Sequence, residues 1–301
     1  MIEQIRIKNF KSLKDISINT KRLNLLAGLN GMGKSSFIQT LLLLKQSDDI
    51  ASTGRLNLKG KFIDLGKGKD ALYQFASEEF IELSLFLDDK SKFHWIVNYE
   101  PGSEILKARL KTIFLTRVKT LLSHFQYIAA ERVGPMSMYD SSQISVKSQD
   151  LGVRGEYAVH FLHVNGNRFK IDKRLKHEQT EQLALMNQVN GWLSEISPGI
   201  KLNVRELPGI DKILLDYQFD LGSGRTDFFK PVNVGFGISY VLSIIVCLLV
   251  SRENSILIIE NPEAHIHPKG QAKLGKLMAL TASCGTQLLD ETHSDHIING
   301  I

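Results

Sequence analysis

Two cysteines, Cys247 and Cys284, are all that 301 residues contain. That is too few for a disulfide framework, so a reducing compartment is the expectation. The longest apolar run, Tyr240 to Val250, is too short to span a bilayer. The opening MIEQIRIKNFKS is charged and strand-like, unlike a secretion signal. Internal repeats, low-complexity tracts and long heptad runs are absent from the sequence. Secreted, membrane-spanning, collagenous and disulfide-stapled classes are therefore not expected, and the missing heptads argue against a long coiled-coil arm. Charge of one sign is also scarce: Lys+Arg 37 against Asp+Glu 32 leaves +5, which permits a nucleic-acid partner without arguing for one. Hydrophobic residues at 43% and charged residues at 23% are enough for a real core. The length suggests about two domain-sized units or one elaborated domain.

The element pattern is α/β. Strands are expected over Ile2–Ile7, Leu13–Ile18 and Leu23–Ala27, then a Gly-rich loop, then a helix over FIQTLLLLKQ. Short strands follow at Lys61–Leu65, Phe80–Leu87 and Phe93–Tyr99. A helix is read over Leu106–Leu122 and a strand over Phe125–Ala129. Arg132–Arg154 reads as loop, and Leu175–Ile196 as helix. Strands at Lys201–Glu206 and Lys212–Phe219 precede a clean alternation. Helix Ser239–Val250, strand Ser255–Ile259, helix Lys269–Ala282, strand Thr286–Leu289 and a helix start at Ser294 imply parallel strands with right-handed crossovers. The chain is read as one unit, 1–301, with a core of 1–66 and 200–301 and an α+β insertion over 67–199, a division that the family resemblance described below implies.

Four motifs carry chemistry. Gly28-Leu29-Asn30-Gly31-Met32-Gly33-Lys34-Ser35 fits G-x-x-x-x-G-K-[ST] between a strand and a helix. Glycines let backbone N–H groups face an anion, and the helix N-terminus adds a positive dipole. The Lys34 ammonium would reach the β- and γ-phosphates of ATP, and the Ser35 hydroxyl would ligate Mg²⁺. Asn30, Gly31, Gly33 and Ser36 complete the candidate phosphate cradle. The apolar strand Ile256–Ile259 delivers Glu260, a Mg²⁺-shell candidate, and Glu263, a candidate for polarising water. The strand before Asp290-Glu291-Thr292-His293 could place His293 against a γ-phosphate. Gly235, Gly237 and Ser239 open a long apolar helix and form a second anion-ready N-terminus. His265, His267 and His296 offer a rival metal reading, but no third-ligand spacing supports it.

Taken in order, these motifs resemble the ABC-type ATPase head shared by SMC, RecF-like and OLD-like ATPases. IENPEAHIHP and ETHSDHIINGI resemble most narrowly the OLD-like AAA family ATPases of prokaryotes, a group linked to phage defence. The resemblance implies a P-loop NTPase fold with a mixed central sheet flanked by helices. It matches Gly28, Gly33, Lys34 and Ser35 to Walker A, Glu260 to the Walker B acid and His293 to the switch histidine. Gly235 and Gly237 match the signature glycines. It implies ATP and Mg²⁺ as cofactors and a head-to-head homodimer sandwiching two nucleotides. Asn261 stands where the catalytic glutamate is usual, so Glu263 becomes the candidate for water activation and slow hydrolysis is expected. Gln46 and Gln143 are both open as the Mg²⁺-contacting glutamine. The eight residues after His293 hold no nuclease motif.

The favoured function is therefore a cytoplasmic, Mg²⁺-dependent ATPase switch, without a membrane partner, controlling a nucleic-acid transaction or anti-phage effector. The rival is an ATP-sensing scaffold with little turnover that restrains a partner nuclease or toxin. A transporter subunit is disfavoured, because Gly-Phe-Gly replaces the transporter signature. DNA contact is a separate expectation, resting on Lys107, Arg109, Lys111, Arg117 and Lys119 along a helix face.

Overall fold

The computed structural model describes residues 1–111 and 120–301. It divides into two compact units, 1–125 with 254–256, and 126–253 with 257–301. The divide does not coincide with either end of the 67–199 segment.

The first unit holds β1 (Ile2–Phe10), β2 (Leu13–Asn19), β3 (Leu23–Leu26), β4 (Arg55–Asn57), β5 (Phe80–Leu87), β6 (Lys92–Asn98) and β7 (Ile105–Leu110). All but β3 form a six-stranded sheet, ordered β2-β1-β5-β6-β7-β4. Its pairings are antiparallel, with Ile5 opposite Ile18 and Leu85, and Leu83 opposite Trp95. Short connections suit the β1–β2, β5–β6 and β6–β7 pairs: the turn after β1 needs only Lys11 and Ser12, and an antiparallel ladder closes over such turns. Alternate residues Ile5, Ile7, Leu83, Leu85, Phe93 and Trp95 are buried, as period-2 strands with one core face require. The helix Lys34–Gln46 belongs to this unit and buries Phe37, Ile38 and Leu41–Leu44. At its end the Gln46 amide donates to the Asn57 carbonyl (2.6 Å) and accepts from the Ile63 amide (3.1 Å). That side chain is spent on loop structure.

The helix expected over 106–122 is corrected in part. Leu106 and Ala108 are buried while Lys107 and Arg109 are exposed, a period of two, and Ile105–Leu110 is a strand. Lys107, Arg109 and Lys111 thus share the solvent side of a sheet edge region, whereas Arg117 and Lys119 lie outside the described residues. The Lys61–Leu65 strand is reduced to one bridge, Lys59 with Asp64.

Save for Phe125 and Ile256, the second unit carries β8 (Phe125–Ile128), β9 (Met138–Asp140), β10 (Ile200–Glu206), β11 (Lys212–Phe219), β12 (Ile256–Glu260) and β13 (Gln287–Glu291). β10, β11 and β9 form one sheet, while β13, β12 and β8 lie side by side in that order. β12 and β13 are joined by the sixteen-residue helix Pro268–Ser283, the crossover that the alternation predicts. Ile256–Ile259 and Gln287–Glu291 are buried without interruption, the mark of strands covered on both faces. The helix Phe236–Val250 is the core of this unit. Every residue from Val241 to Val250 is buried, each large aliphatic side chain contributing about 1.5–3 kcal/mol. Arg132–Arg154 is not all loop, since it includes β9 and a helix at Gln143–Ser148. The helix read over 175–196 is confined to Leu185–Ser194. A helix at Ala158–Asn165 had no signal, because its first five residues are all buried and leave no polar face to reveal a period.

Candidate nucleotide site

The loop between β3 and the helix Lys34–Gln46 is built on glycine stereochemistry. Gly28, Gly31 and Gly33 sit at φ of 137°, 82° and 91°, which side-chain-bearing residues avoid. Gly33 is also crowded: a Cβ there would lie 2.7 Å from Leu13 Cδ2. At Gly28 and Gly31 a Cβ would meet nothing within 4 Å, so the backbone angle alone calls for glycine. Gly28 to Met32 are exposed. Lys34 turns its ammonium back over the loop, donating to the carbonyls of Gly28 (2.8 Å) and Leu29 (2.9 Å). The helix starts with no acidic residue in its first turn, so its positive end is uncompensated by side-chain charge. Loop, lysine and dipole together suit a phosphate chain. Ser35 is exposed, as a metal-ligating hydroxyl must be. Ser36, in contrast, is buried and its hydroxyl meets Ser12 Oγ at 3.1 Å, so it faces the fold and not a ligand.

In the second unit Glu260 ends β12 and is held from several sides. Its Oε2 accepts from the Ala130 amide (3.2 Å), and the Tyr127 hydroxyl bonds the same carboxylate. Burial raises its pKa above the ordinary carboxyl value, and these hydrogen bonds oppose that. Asn261 follows at φ 46°, donating its amide to the Glu291 carbonyl at 2.7 Å. Glu263 places Oε2 against the Thr292 hydroxyl (2.8 Å) and Oε1 against the His293 amide (2.8 Å). It therefore fixes the backbone ahead of His293, whose ring is exposed. Water activation by Glu263 has to compete with that structural duty. Thr292 in turn accepts from the Ser294 amide at 3.1 Å. Beside this lies Asp290, fully buried, with neither oxygen partnered among the described residues. Burial, then the Glu263 charge, lifts its pKa well above the usual carboxyl value.

The glycine pair divides in role. Gly235 is exposed with nothing within 4 Å of an added Cβ. Gly237 is buried against the loop after β12: its Cβ would lie 2.1 Å from the His265 carbonyl oxygen. Ser239 is 7% exposed and meets Tyr217 Oη at 3.3 Å, so its hydroxyl faces the core. Gln143 opens a six-residue surface helix. His265 and His267 do not form a metal cluster: among the described residues no group of three or more His, Cys, Asp or Glu is placed to hold a metal ion.

Sequence reasoning missed Arg132, Tyr127, Thr292 and Asp290. Arg132 is 1% exposed, and its guanidinium donates to the carbonyls of Ala129 (2.9 Å), Glu260 (2.7 Å) and Asn261 (2.7 Å). No spacing rule finds it, because Ala129 is three residues away but the other two partners are 128 and 129 residues away. The sequence offered no more than a charged residue four positions past the end of a strand.

Comparison with known proteins fits this geometry. A family model described as "AAA domain, putative AbiEii toxin, Type IV TA system" matches residues 162–299, and one described as "AAA ATPase domain" matches residues 1–107. No curated protein matches the sequence. An SMC head bound to the C-winged helix domain of ScpA is 12% identical, over 99% of this chain and 91% of that one, with a TM-score of 0.57. The Pyrococcus furiosus Smc head domain with an extended coiled coil, bound to the C-terminal domain of ScpA, is 11% identical over the same shares, with a TM-score of 0.59. At such identities the likeness is one of fold. The solved structures give the fold, that of the ABC-type head of SMC proteins, and two separate parts of the chain match AAA ATPase domain models.

Proposed function

We propose that the chain binds ATP with Mg²⁺, hydrolyses it slowly, and works as a homodimeric switch of the OLD-like kind that controls a nucleic-acid transaction or an anti-phage effector. One observation carries the reading: the three left-handed glycines and the Lys34 ammonium folded across the 28–33 loop. In this account Asn30, Gly31, Gly33 and Lys34 hold the phosphates, and Ser35 and Glu260 hold Mg²⁺. His293 contacts the γ-phosphate, and Gly235, with Gly237 behind it, caps the nucleotide of a second copy. Held by Ser35 and Glu260, Mg²⁺ would supply charge neutralisation for the phosphate chain. The chain's own contribution is to orient the phosphate oxygens with backbone amides and one ammonium. The AbiEii-toxin description of the family model supports an effector setting. The proposal sets the protein in the cytoplasm; among the described residues no helix is long and apolar enough to cross a membrane.

The test is Lys34→Ala, with ATP affinity measured by calorimetry and oligomeric state with and without Mg²⁺-ATP. Loss of affinity and of the nucleotide-induced dimer is expected; unchanged affinity would refute the reading. The scaffold alternative is favoured by Asn261 at the strand end and by the engagement of both Glu263 oxygens. Turnover retained in Glu263→Gln would exclude Glu263 as the water activator. An ATP-trapped dimer would support the scaffold. DNA contact through Lys107 and Arg109 is tested by titrating salt, since phosphate contacts weaken steeply with ionic strength.

A further inference from the structure

Arg132 is a buried cation with no carboxylate salt bridge among the described residues. Its hydrogen bonds go to backbone carbonyls, and its guanidinium carbon stands 5.3 Å from the Tyr240 ring centroid. Its Nε has no partner among the described residues. Tyr240 packs edge-on to His265 at 5.0 Å, and Phe236 closes the group at 5.5 Å from Tyr240 and 5.6 Å from His265. Phe236 and Tyr240 lie one turn apart at the start of the helix that Gly235 caps. His265 belongs to the loop after β12, where both Asn261 (φ 46°) and His265 (φ 62°) hold left-handed backbone. Such conformations persist only when the surroundings over-determine them. Here Arg132 pins the Asn261 carbonyl, the Glu291 carbonyl pins its amide, and Gly237 leaves room for the His265 carbonyl. The short segment after β8 therefore grips Glu260 twice: Ala130 by its side chain and Arg132 by its carbonyl.

We infer that Arg132 is a positioning residue that locks the strand end carrying Glu260 to the first turn of the glycine-capped helix through the Tyr240–His265–Phe236 aromatic group. A shift of the Glu260 backbone moves the guanidinium, and the guanidinium moves the ring above it. The proposal rests on the function above in one respect: where Gly235 caps the nucleotide of a second copy, this lock links the two nucleotide sites of the dimer. Arg is required because a planar fork can serve three carbonyls in its plane while an aromatic face covers it; a lysine ammonium offers neither.

The test uses the full chain in five forms: wild type, Arg132→Lys, Tyr240→Leu, Tyr240→Phe and the double variant Arg132→Lys/Tyr240→Leu. Hydrogen exchange without nucleotide reads the lock directly. Arg132→Lys and Tyr240→Leu should each raise exchange at both 259–266 and 235–241, while 271–281 stays protected. Tyr240→Phe keeps the ring and should behave as wild type. With ATP, Arg132→Lys should lower turnover about 10- to 100-fold, as loss of a supporting hydrogen bond typically does. Its Hill coefficient should fall to about 1, the value for independent sites, with ATP affinity of the monomer unchanged. The double variant Arg132→Lys/Tyr240→Leu should be no worse than either single one. The lock is refuted if exchange rises in one segment only, if the two substitutions add, or if Tyr240→Phe is as damaging as Tyr240→Leu. Should wild type bind no ATP, the functional reading fails, and the exchange experiment still decides the lock by itself.

Discussion

Gly237→Ala is a sharp probe of the second unit. The added methyl would lie 2.1 Å from the His265 carbonyl oxygen and 2.9 Å from its carbon. That is more than about 1 Å inside van der Waals contact. The obstacle is backbone, and the His265 left-handed conformation leaves it little freedom to retreat. Overpacking typically costs about 1–3 kcal/mol, and an immovable partner argues for the upper end. The better helix propensity of alanine returns up to about 1 kcal/mol. The net expectation is about 2 kcal/mol of destabilisation, or roughly 4–8 °C in melting temperature for a unit of this size. Scanning calorimetry would read it, with urea unfolding as a second measure. Gly235→Ala is the control: its φ is −52° and no atom lies within 4 Å of the new methyl. It should cost less than about 1 kcal/mol, the difference between glycine and alanine as caps. If both variants melt like wild type, the close approach of the helix to the 261–266 loop is wrong. If Gly235→Ala is the worse of the two, the division of roles between the glycines is wrong.

Gly33→Ala combines a φ of 91° with a Cβ 2.7 Å from Leu13 Cδ2, so a loss of about 1–2 kcal/mol is expected in urea unfolding, along with the nucleotide-dependent rise in melting temperature. Asp290 has its folded pKa raised from 3.8, so the stability it contributes is full below that value and is lost as pH rises through the folded pKa, at up to about 1.4 kcal/mol per pH unit. Asp290→Asn should remove that slope and be more stable than wild type at pH 8 but not at pH 4; parallel urea-midpoint curves would contradict it. Glu263→Gln turns one acceptor into a donor facing either the Thr292 hydroxyl or the His293 amide, a loss of about 1–3 kcal/mol, visible as faster exchange of the 292–294 amides. Protection left intact there would show that Glu263 does not hold that turn.

Much of this was legible in the chain. The glycine loop was readable because its residues are dictated by φ and by a lysine whose partners lie five and six residues away. Strands such as Phe80–Leu87 and Ile256–Glu260 were readable from local hydropathy alone. Ile105–Leu110 carries good helix formers in leucine, lysine and arginine, yet its buried and exposed residues alternate, so packing on one sheet face overrides helix propensity there. Ser239 and Ser36 looked like ligands because side-chain type does not reveal direction, and both hydroxyls turn inward. Arg132 and Asp290 were illegible for a deeper reason. Their surroundings are assembled by segments far apart in sequence, and burial of a charge is a property of the packed molecule.

Asn261 bears on any attempt to restore a glutamate where related strands carry one. Its φ of 46° lies in the region that asparagine tolerates and most other side chains resist, at about 1–2 kcal/mol per residue. Asn261→Glu would ask a longer, charged chain to adopt the same kinked path while its carbonyl stays tethered to Arg132. The asparagine thus answers a demand of geometry before any demand of chemistry, and a repaired carboxylate would arrive on a displaced backbone.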